Sequence, residues 1–406
     1  MKRVHATMQQ FAIADGEIMM AGRPISALAA DLGTPFYAYD SAVVTKTLDS
    51  LRQLLPQRLG IHYALKANPF PALVNFLSHH VDGFDVASAH ELKLALASGM
   101  PPAAISLAGP GKTDALLQQA VSAGIRINVE STGELERIAR LAPSSTSALI
   151  SLRVNPDISV KAAGMRMGGG ASPFGIDVEQ VPQAIGLARS AGLTISGLHY
   201  YPGSQILHAE TIVELQRHCL ESALQLAAEH ALDLRTLNLG GGFGIPYFPG
   251  EQHLDPAPIA AGLHALLARA QQAMPELSVH IELGRYLVGE AGLYVTRILD
   301  RKVSRGKTFL ITDGGMNHHL AASGNLGQVL RRNYPVVIAN RMIPDTRETV
   351  TIAGPLCTPL DVLAENVELP HARPGDLVAV YQSGAYGYSA SPHGFLSHPL
   401  PQEILL

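Results

Sequence analysis

Eight short β-rich runs, each followed by a helical pattern, are the feature that most restricts the fold of this chain. The helical patterns, such as ELKLALASG and TDALLQQAVSAG, end on glycine, as many helices do. Strands that alternate with helices predict parallel β-structure, and eight units over about 225 residues predict an α/β fold of the (β/α)8 barrel type. A doubly wound open sheet is the alternative, because a pattern alone does not show closure. The runs are HYALK (62–66), GFDVAS (83–88), AISLAG (104–109), RINVES (126–131), ALISLRV (148–154), ISGLHYY (195–201), TLNLGG (236–241) and SVHIELG (278–284).

Beyond residue 286 the pattern changes from alternating to β-rich. Runs such as KTFLITDG, ETVTIAG and DLVAVYQSGAY follow one another without long helices between them. The amino-terminal stretch FAIADGEIMMAG has the pattern of a hairpin that could join this part of the chain. We therefore predict a barrel domain over residues 35–285 and a β-rich domain, a barrel or sandwich, formed by residues 1–34 with 286–406.

Charge and hydropathy argue against several classes of function. The net charge is −4 and no dense Lys/Arg run occurs, so nucleic acid is not an expected partner. No run of about 18 apolar residues occurs, which argues against a membrane span, and the amino terminus lacks the apolar core of a secretory signal. The two cysteines, Cys219 and Cys357, have no metal-ligand spacing around them. We therefore expect no metal site and a reducing, cytoplasmic location.

Polar side chains follow the predicted strands at their carboxyl ends, where barrels collect catalytic groups. HYALK is apolar until Lys66, although a buried ammonium is costly unless it is paired or reactive. The simpler interpretation is a lysine that extends into solvent from the strand end. Many polar groups at the other strand ends favour the reactive interpretation. They are Asp85, Ser88, Lys112, Glu130, Arg153, His199, Glu282 and Arg285.

Two glycine-rich turns add a site for an anion beside this lysine. Gly203-Ser204 and the glycines at 240–242 can present backbone N–H groups to a phosphate, and Arg285 adds a positive charge. A phosphate site near a lysine predicts pyridoxal 5'-phosphate (PLP), held as a Schiff base and acting as an electron sink. LGGGFG also matches half of a dinucleotide-binding fingerprint, but no βαβ unit with an acidic residue about 20 positions later accompanies it.

Seven segments of the chain resemble, in their order, those of a known enzyme family. They are HYALKANP, FDVASAHEL, HYYPGSQ, LNLGGGFG, IELGRYLV, GPLCTPLD and GAYGYSASP. They are similar to the signature segments of the alanine-racemase-fold (fold type III) PLP-dependent decarboxylases, a group that includes diaminopimelate, ornithine and arginine decarboxylases. The resemblance covers the chain from about residue 35 to about residue 395. It implies an amino-acid decarboxylase, a carboxy-lyase, that forms a homodimer with shared active sites.

The resemblance also implies a role for each matching residue. Lys66 would carry PLP as a Schiff base, Glu282 would pair with the ring nitrogen, and His199 would stack on the ring. Cys357, contributed by the partner subunit, would protonate the carbanion left after decarboxylation. Asp361 and His318 would line the substrate. A metal site at His318-His319 is a weaker interpretation of these residues than a substrate contact, since no third ligand accompanies them. The expected cofactor-binding residues are Lys66, Asp85, His199, Ser204, Gly241, Gly242, Glu282, Gly284, Arg285 and Tyr386.

One turn departs from the pattern of the diaminopimelate decarboxylases. Those enzymes usually have Cys-Glu-Ser there, with the glutamate binding the distal amine, whereas this chain has Cys-Thr-Pro-Leu-Asp at 357–361. The variant is more like the decarboxylases of siderophore, exosortase-associated and carrier-protein-linked pathways. We therefore expect a PLP-dependent decarboxylase of an amino acid, free or conjugated.

Three alternative functions stay open at this point. Diaminopimelate decarboxylase is the first, because the segments that resemble its cofactor site are present. An amino-acid racemase is the second, although Glu282 and Cys357 argue against it. The third is a non-catalytic PLP-binding homologue, although such proteins typically lose catalytic positions and none of the principal ones is lost here.

Overall fold

The computed structural model describes residues 4–142, 148–158, 170–328, 330–343 and 346–406, and the backbone of Met165 and Arg166. The glycine-dense segment 164–171, for which the sequence predicts a loop near the site, lies mostly outside the described residues. Two compact units are present. The barrel unit comprises Leu48–Gly244 and Leu254–Gly284, and the sheet unit comprises Met1–Thr47, Ile245–His253 and Arg285–Leu406. The domain boundaries at 34/35 and 285/286 stay a prediction.

The sheet unit starts with the predicted hairpin. Asp15 and Gly16 connect its two strands and both have positive φ, +51° and +77°, which is the geometry that an Asp-Gly turn favours. A third short strand completes this small antiparallel sheet. The first elements are β1 (Ala12–Ala14), β2 (Glu17–Met20), β3 (Arg23–Pro24), α1 (Ile25–Leu32), β4 (Phe36–Tyr39) and α2 (Ser41–Leu54).

Eight parallel strands close into a barrel in the barrel unit. Their order around the barrel is β5-β6-β7-β8-β9-β12-β14-β15, and β15 pairs with β5 to complete the ring. This closure confirms the (β/α)8 barrel and excludes the doubly wound sheet. The strands of this unit are β5 (Gly60–Ala64), β6 (Gly83–Val86), β7 (Ile105–Leu107), β8 (Arg126–Val129), β9 (Leu149–Asn155), β10 (Met165–Arg166), β11 (Ile176–Asp177), β12 (Ile195–Tyr200), β13 (Gly203–Ser204), β14 (Thr236–Gly241) and β15 (Ser278–Leu283).

Helices follow the barrel strands, and side-chain caps fix where several of them begin. Ser88 and Ser131 each accept a hydrogen bond of 3.1 Å from the backbone N–H three residues later, which satisfies a donor that the first helical turn leaves open. These caps place the strand ends immediately before the helices. The helices are α3 (Pro71–Leu77), α4 (Ala89–Ala97), α5 (Asp114–Ala123), α6 (Thr132–Leu141), α7 (Val181–Ser190), α8 (Ala209–His230) and α9 (Ala257–Ala273).

The rest of the sheet unit is β-rich, as its sequence pattern predicts. An eight-stranded mixed sheet contains β4 and the seven strands from β16 to β22. Its main order is β18-β21-β16-β17-β19-β20, and β4 pairs with both β16 and β22. The amino-terminal hairpin packs on it, because Ile18, Met20, Leu28, Leu293 and Ala379 belong to one buried hydrophobic cluster. The elements are α10 (Arg285–Val288), β16 (Gly292–Ser304), β17 (Lys307–Thr312), β18 (Val336–Ile338), β19 (Arg347–Ala353), β20 (Val362–Pro370), β21 (Leu377–Val380) and β22 (Gln402–Leu405).

No helix within the described residues has both the length and the apolar character needed to cross a membrane.

The hairpin provides a matched pair for testing this core. Ile13 and Ile18 face each other across β1 and β2, but Ile18 is fully buried and Ile13 is 51 % exposed. We expect Ile18→Ala to lower the free energy of unfolding by about 2–5 kcal/mol, because it leaves a cavity, and Ile13→Ala to change it by less than about 0.5 kcal/mol. Urea unfolding followed by circular dichroism measures both, and equal effects would contradict the assignment of Ile18 to the core and of Ile13 to the surface.

Candidate active site

Lys66 lies just past the end of β5, on a single 3₁₀ turn (Leu65–Ala67). The Tyr63 hydroxyl donates a hydrogen bond of 2.9 Å to the Asn68 carbonyl, which fixes the chain where it leaves the strand. The Lys66 ammonium lies 3.3 Å from a carboxylate oxygen of Glu282 and 4.6 Å from the centre of the Tyr201 ring. Its side chain is 39 % exposed. A lysine that merely extends into solvent does not account for these contacts, so the amine belongs to a built site.

Glu282 is the buried carboxylate of this site. It lies on β15, and its second oxygen is 3.3 Å from Nε2 of His199 on β12. Burial disfavours its charge, but the Lys66 ammonium, with His199 and Arg153, outweighs burial and holds the pKa of the Glu282 carboxyl below its usual range. Glu282 is therefore ionised, and it attracts positive charge into the barrel interior.

Tyr201 is a residue of this site that the sequence analysis missed. Successive side chains of a strand alternate between its two faces, so Tyr200, the last residue of β12, points away from the face of His199, and Tyr201 directly follows the strand. Tyr200 is fully buried and donates a hydrogen bond of 3.1 Å to Ser222 on α8. Tyr201 is the aromatic side chain beside Lys66, and ring stacking by His199 stays a prediction. The signal that could have identified Tyr201 is its position directly after the strand that carries His199.

Two glycine turns lie against each other after β12 and β14. A Cβ at Gly242 would come within 2.6 Å of the Gly203 carbonyl oxygen, and Gly242 has φ +79°. Both the close contact and the left-handed backbone conformation therefore exclude a residue with a side chain at this position. The Gly242 carbonyl accepts a hydrogen bond of 2.8 Å from the Ile206 N–H. Ser204 and Gly241 belong to the same two turns, and Gly284 packs on Ala67, where a Cβ would lie 3.0 Å from the Ala67 Cβ.

Asp85 belongs to a polar network inside the barrel. One of its oxygens accepts a hydrogen bond from the Ser106 hydroxyl, to which Asn128 also donates. The same oxygen lies 3.6 Å from Nδ1 of His62. Asp85 is thus a buried residue of the interior and not a surface charge; a contact between Asp85 and the cofactor stays a prediction.

Lys112 and Arg153 also carry charges into the barrel unit. Lys112 is 4 % exposed and pairs with Glu134 at 2.8 Å, and Arg153 pairs with Glu130 at 2.9 Å. Both cations are therefore paired and buried, which satisfies the condition that buried charges normally meet.

His62, Asp85 and His280 form the one group of potential metal ligands among the described residues, with their ligand atoms within 4.8 Å of one another. The two imidazole rings stack with centroids 3.9 Å apart and planes 18° apart. An imidazole nitrogen binds a metal ion in the plane of its ring, so a single ion between two nearly parallel rings cannot bind both well. Burial holds the pKa of His280 well below its usual value, which favours a stack with a neutral ring.

The predicted phosphate ligands Arg285 and Tyr386 lie in the sheet unit. The Arg285 guanidinium donates a hydrogen bond of 3.1 Å to the Tyr247 hydroxyl and lies 4.7 Å from the centre of the Tyr386 ring. Tyr386 has φ +56°, a left-handed conformation that non-glycine residues rarely adopt. Arg285 directly follows Gly284 in the chain, but phosphate binding by either Arg285 or Tyr386 stays a prediction.

Cys357 is exposed, on a turn of the sheet unit between β19 and β20. Asp361, at the end of this turn, is 2 % exposed and accepts hydrogen bonds from the backbone N–H of Met316 (2.6 Å) and of Leu356 (2.8 Å). His318 is 1 % exposed, and its Nε2 lies 2.9 Å from the Pro399 carbonyl oxygen. Burial lowers the pKa of His318 to about 4. Substrate contacts for Asp361 and His318 stay predictions, and both side chains are already bonded to the main chain of their own unit.

Comparison with known proteins identifies relatives of this chain. Residues 41–289 match the family model described as "Pyridoxal-dependent decarboxylase, pyridoxal binding domain". The chain is 40 % identical to L-glutamyl-[BtrI acyl-carrier protein] decarboxylase of Niallia circulans, over 94 % of this chain and 90 % of that protein. It is 32 % identical to 2-[(L-alanin-3-ylcarbamoyl)methyl]-2-hydroxybutanedioate decarboxylase of Staphylococcus aureus, over 91 % and 93 %. The crystal structure of diaminopimelate decarboxylase from Helicobacter pylori with L-lysine has a TM-score of 0.84 at 30 % identity, and the alignment covers 94 % of this chain and 93 % of that one.

The groups of the barrel unit fit PLP. Lys66 supplies an amine for the cofactor aldehyde, and the turns at Ser204 and Gly241 supply backbone around an anion. The decisive observation is Glu282, a buried carboxylate that lies 3.3 Å from the Lys66 ammonium and 3.3 Å from Nε2 of His199, an arrangement that favours a cationic neighbour such as a protonated pyridine nitrogen.

We expect Tyr201 to contact the bound cofactor through its ring. Tyr201→Ala should weaken PLP binding by about 3- to 10-fold, the range of a single aromatic contact, whereas Tyr201→Phe should bind PLP normally. Cofactor retention during dialysis against an aldehyde trap measures the difference. Tyr200→Phe is the matched control, because Tyr200 faces away from the site, and equal losses in Tyr200→Phe and Tyr201→Ala would contradict the assignment.

Proposed function

The chain belongs to the pyridoxal-dependent decarboxylases, and we propose that its substrate is an amino acid conjugated through its side chain to a carrier or a carboxylic acid. The chain is a PLP-dependent carboxy-lyase whatever the substrate. Because the α-carboxylate is the group that leaves, any conjugate must be joined through the side chain. Two relatives, the N. circulans and S. aureus decarboxylases, are named for conjugated amino acids.

The observation that carries this proposal is that the polar side chains of the turn at 357–361 are already bonded to the main chain. The Thr358 hydroxyl accepts a hydrogen bond of 3.3 Å from the Leu360 N–H, so it closes its own turn. Both oxygens of Asp361 accept bonds from the main chain. Pro359 and Leu360 are apolar and exposed. The turn therefore offers no carboxylate in place of the glutamate that binds a distal amine, and an unpaired buried ammonium would be penalised.

The residues of the chain perform the steps that the cofactor does not. Bound PLP supplies the electron sink for the electron pair released when carbon dioxide leaves. Lys66 would bind the cofactor, Glu282 would keep a proton on its ring nitrogen, and His199, whose Nε2 lies 3.3 Å from Glu282, would stack on the ring. The Cys357 thiol would then donate its proton to the carbon that has lost the carboxylate, and solvent would restore the thiol.

We place Cys357 in the active site of a second copy of the chain, so that a homodimer has shared sites. Its thiol is exposed while the rest of its turn is anchored to its own unit, which supports a role outside that unit. Mixing Lys66→Ala with Cys357→Ala should restore part of the activity, because one kind of site in the mixed dimer is then intact. If neither mixing nor refolding together restores activity, the shared placement is wrong.

The role of Cys357 predicts a change in products as well as in rate. Cys357→Ala should lower kcat by about 10²- to 10⁴-fold, the usual contribution of a general acid, with PLP still bound. Part of the proton delivery should then occur at a cofactor carbon, releasing an aldehyde and pyridoxamine phosphate. Separation of amine from aldehyde by chromatography measures the partition, and Cys219→Ala is the control, since Cys219 is buried in α8. Full activity of Cys357→Ala would exclude this role.

The substrate proposal is tested by comparing matched substrates. A glutamyl thioester of N-acetylcysteamine, linked through the side-chain carboxyl, should have a kcat/KM at least about 10-fold above that of free glutamate. Free meso-diaminopimelate and lysine should be poor substrates, because the turn has no partner for their distal ammonium. Turnover of free diaminopimelate at about 10⁴ M⁻¹s⁻¹ or above would instead favour diaminopimelate decarboxylase, to whose structure from H. pylori the chain is also similar.

A further inference from the structure

Asp361 joins two loops of the sheet unit with one side chain. Its Oδ1 accepts the Met316 N–H at 2.6 Å, and its Oδ2 accepts the Leu356 N–H at 2.8 Å. Leu356 immediately precedes Cys357, and Met316 lies on the loop that follows β17. The Asp361 backbone closes the same turn, since its carbonyl accepts the Gly354 N–H at 3.1 Å and its N–H donates to Thr358 at 3.2 Å.

Two glycines make room for this carboxylate. A Cβ at Gly315 would lie 2.1 Å from Oδ1 of Asp361, and a Cβ at Gly354 would lie 2.3 Å from Oδ2. Neither glycine has a φ in the left-handed region, so the close approach of Asp361, and not backbone conformation, requires a residue without a side chain. The loop sequences DGGM and GPLC thus each contain a glycine at the point where the carboxylate rests.

The carboxylate is enclosed by the groups it binds. Burial raises the pKa of Asp361 from its usual value, while the Met316 and Leu356 N–H groups oppose that rise. Hydrogen bonds from N–H groups to a carboxylate are shorter and stronger than those between neutral groups. Asp361 therefore holds the residue before Cys357 at a fixed place relative to the Met316 loop.

We propose that Asp361 is a positioning residue for Cys357, which sets the direction of the thiol and does not bind substrate. The inference rests on the proposed role of Cys357 as proton donor. A general acid must lie within hydrogen-bond reach of the atom it protonates, and a small displacement of a reacting group costs a large part of its rate. A fixed Leu356 N–H limits how far the Cys357 backbone can move, so loss of the carboxylate should let the thiol miss the carbon it protonates.

The test compares Asp361→Asn with Asp376→Asn in the holoenzyme. Asp376 is another buried aspartate of the same unit, 6 % exposed against 2 % for Asp361, and it accepts hydrogen bonds from the Arg373 N–H at 2.8 Å, the Asn340 amide at 3.0 Å and the Arg341 guanidinium at 2.7 Å. In Asp361→Asn, the side-chain oxygen can accept only one of the two backbone N–H groups. The other N–H group then faces the side-chain NH₂ group, which is also a donor, and that hydrogen bond is lost. Hydrogen exchange at the Leu356 and Met316 amides should therefore become at least about 10-fold faster, whereas in Asp376→Asn it should not change. Unchanged exchange in Asp361→Asn overturns the proposal.

The products distinguish a positioning residue from a merely structural one. Asp361→Asn should lower kcat about 10-fold with KM nearly unchanged, and should raise the fraction of aldehyde product, as Cys357→Ala does. Gly354→Ala, which displaces the same carboxylate from the other side, should give the same shift and replaces Asp361→Asn if that variant does not fold. If Asp361→Asn or Gly354→Ala folds and shows faster amide exchange but a normal ratio of amine to aldehyde, the Asp361 proposal is wrong while the role of Cys357 as proton donor is unaffected. A normal ratio in Cys357→Ala overturns the proton-donor role and the Asp361 proposal together.

Discussion

The contact of the Glu282 carboxylate with Lys66 and His199 is the interaction on which the candidate active site depends. An ionised carboxylate inside a barrel is costly unless cations and hydrogen-bond donors surround it. Its three members come from β15, the turn after β5, and β12, and the Glu282 carboxylate lies 3.3 Å from both the Lys66 ammonium and Nε2 of His199. The pairing of β15, the last strand of the barrel, with β5, the first, brings Glu282 and Lys66 together. The closure that defines the fold therefore also assembles the charge distribution needed by a cofactor with a cationic ring.

The cost of burying a charge also explains why the barrel interior contains so many hydrogen-bonded and ion-paired side chains. Asp85, Ser106 and Asn128 form a hydrogen-bonded series, and Lys112 and Arg153 each have a carboxylate partner. Each buried charge in a medium of low dielectric needs such a partner. These bonds fix the positions of the buried polar side chains, and the stacked rings of His62 and His280 lie next to Asp85 without adding a charge at His280.

The sequence predicts the strands well, because alternation with helices and glycine-terminated helix patterns are local signals. HYALK and SVHIELG correspond to β5 and β15, and the polar residues at their ends, Lys66 and Glu282, do meet. Distances across the barrel are not local, which is why the sequence did not identify Tyr201 as a neighbour of Lys66. Tyr201 directly follows β12, and its ring lies beside the Lys66 amine because β5 and β12 belong to the same barrel.

The sequence is least informative in the turn around Cys357, where one aspartate could serve either substrate or backbone. Asp361 reads as a polar group available to a ligand, yet both of its oxygens accept hydrogen bonds from main-chain N–H groups. Gly315 and Gly354 leave room for the carboxylate in contact with both loops, which supports our proposal that it fixes the turn. Because the polar side chains of the turn at 357–361 are bonded to the main chain, the turn exposes a thiol and apolar side chains but no charged group. With Cys357 as the proposed proton donor, this turn would serve the decarboxylation of any amino acid, and selectivity for the distal part of a substrate would come from groups elsewhere or from the partner to which the substrate is joined.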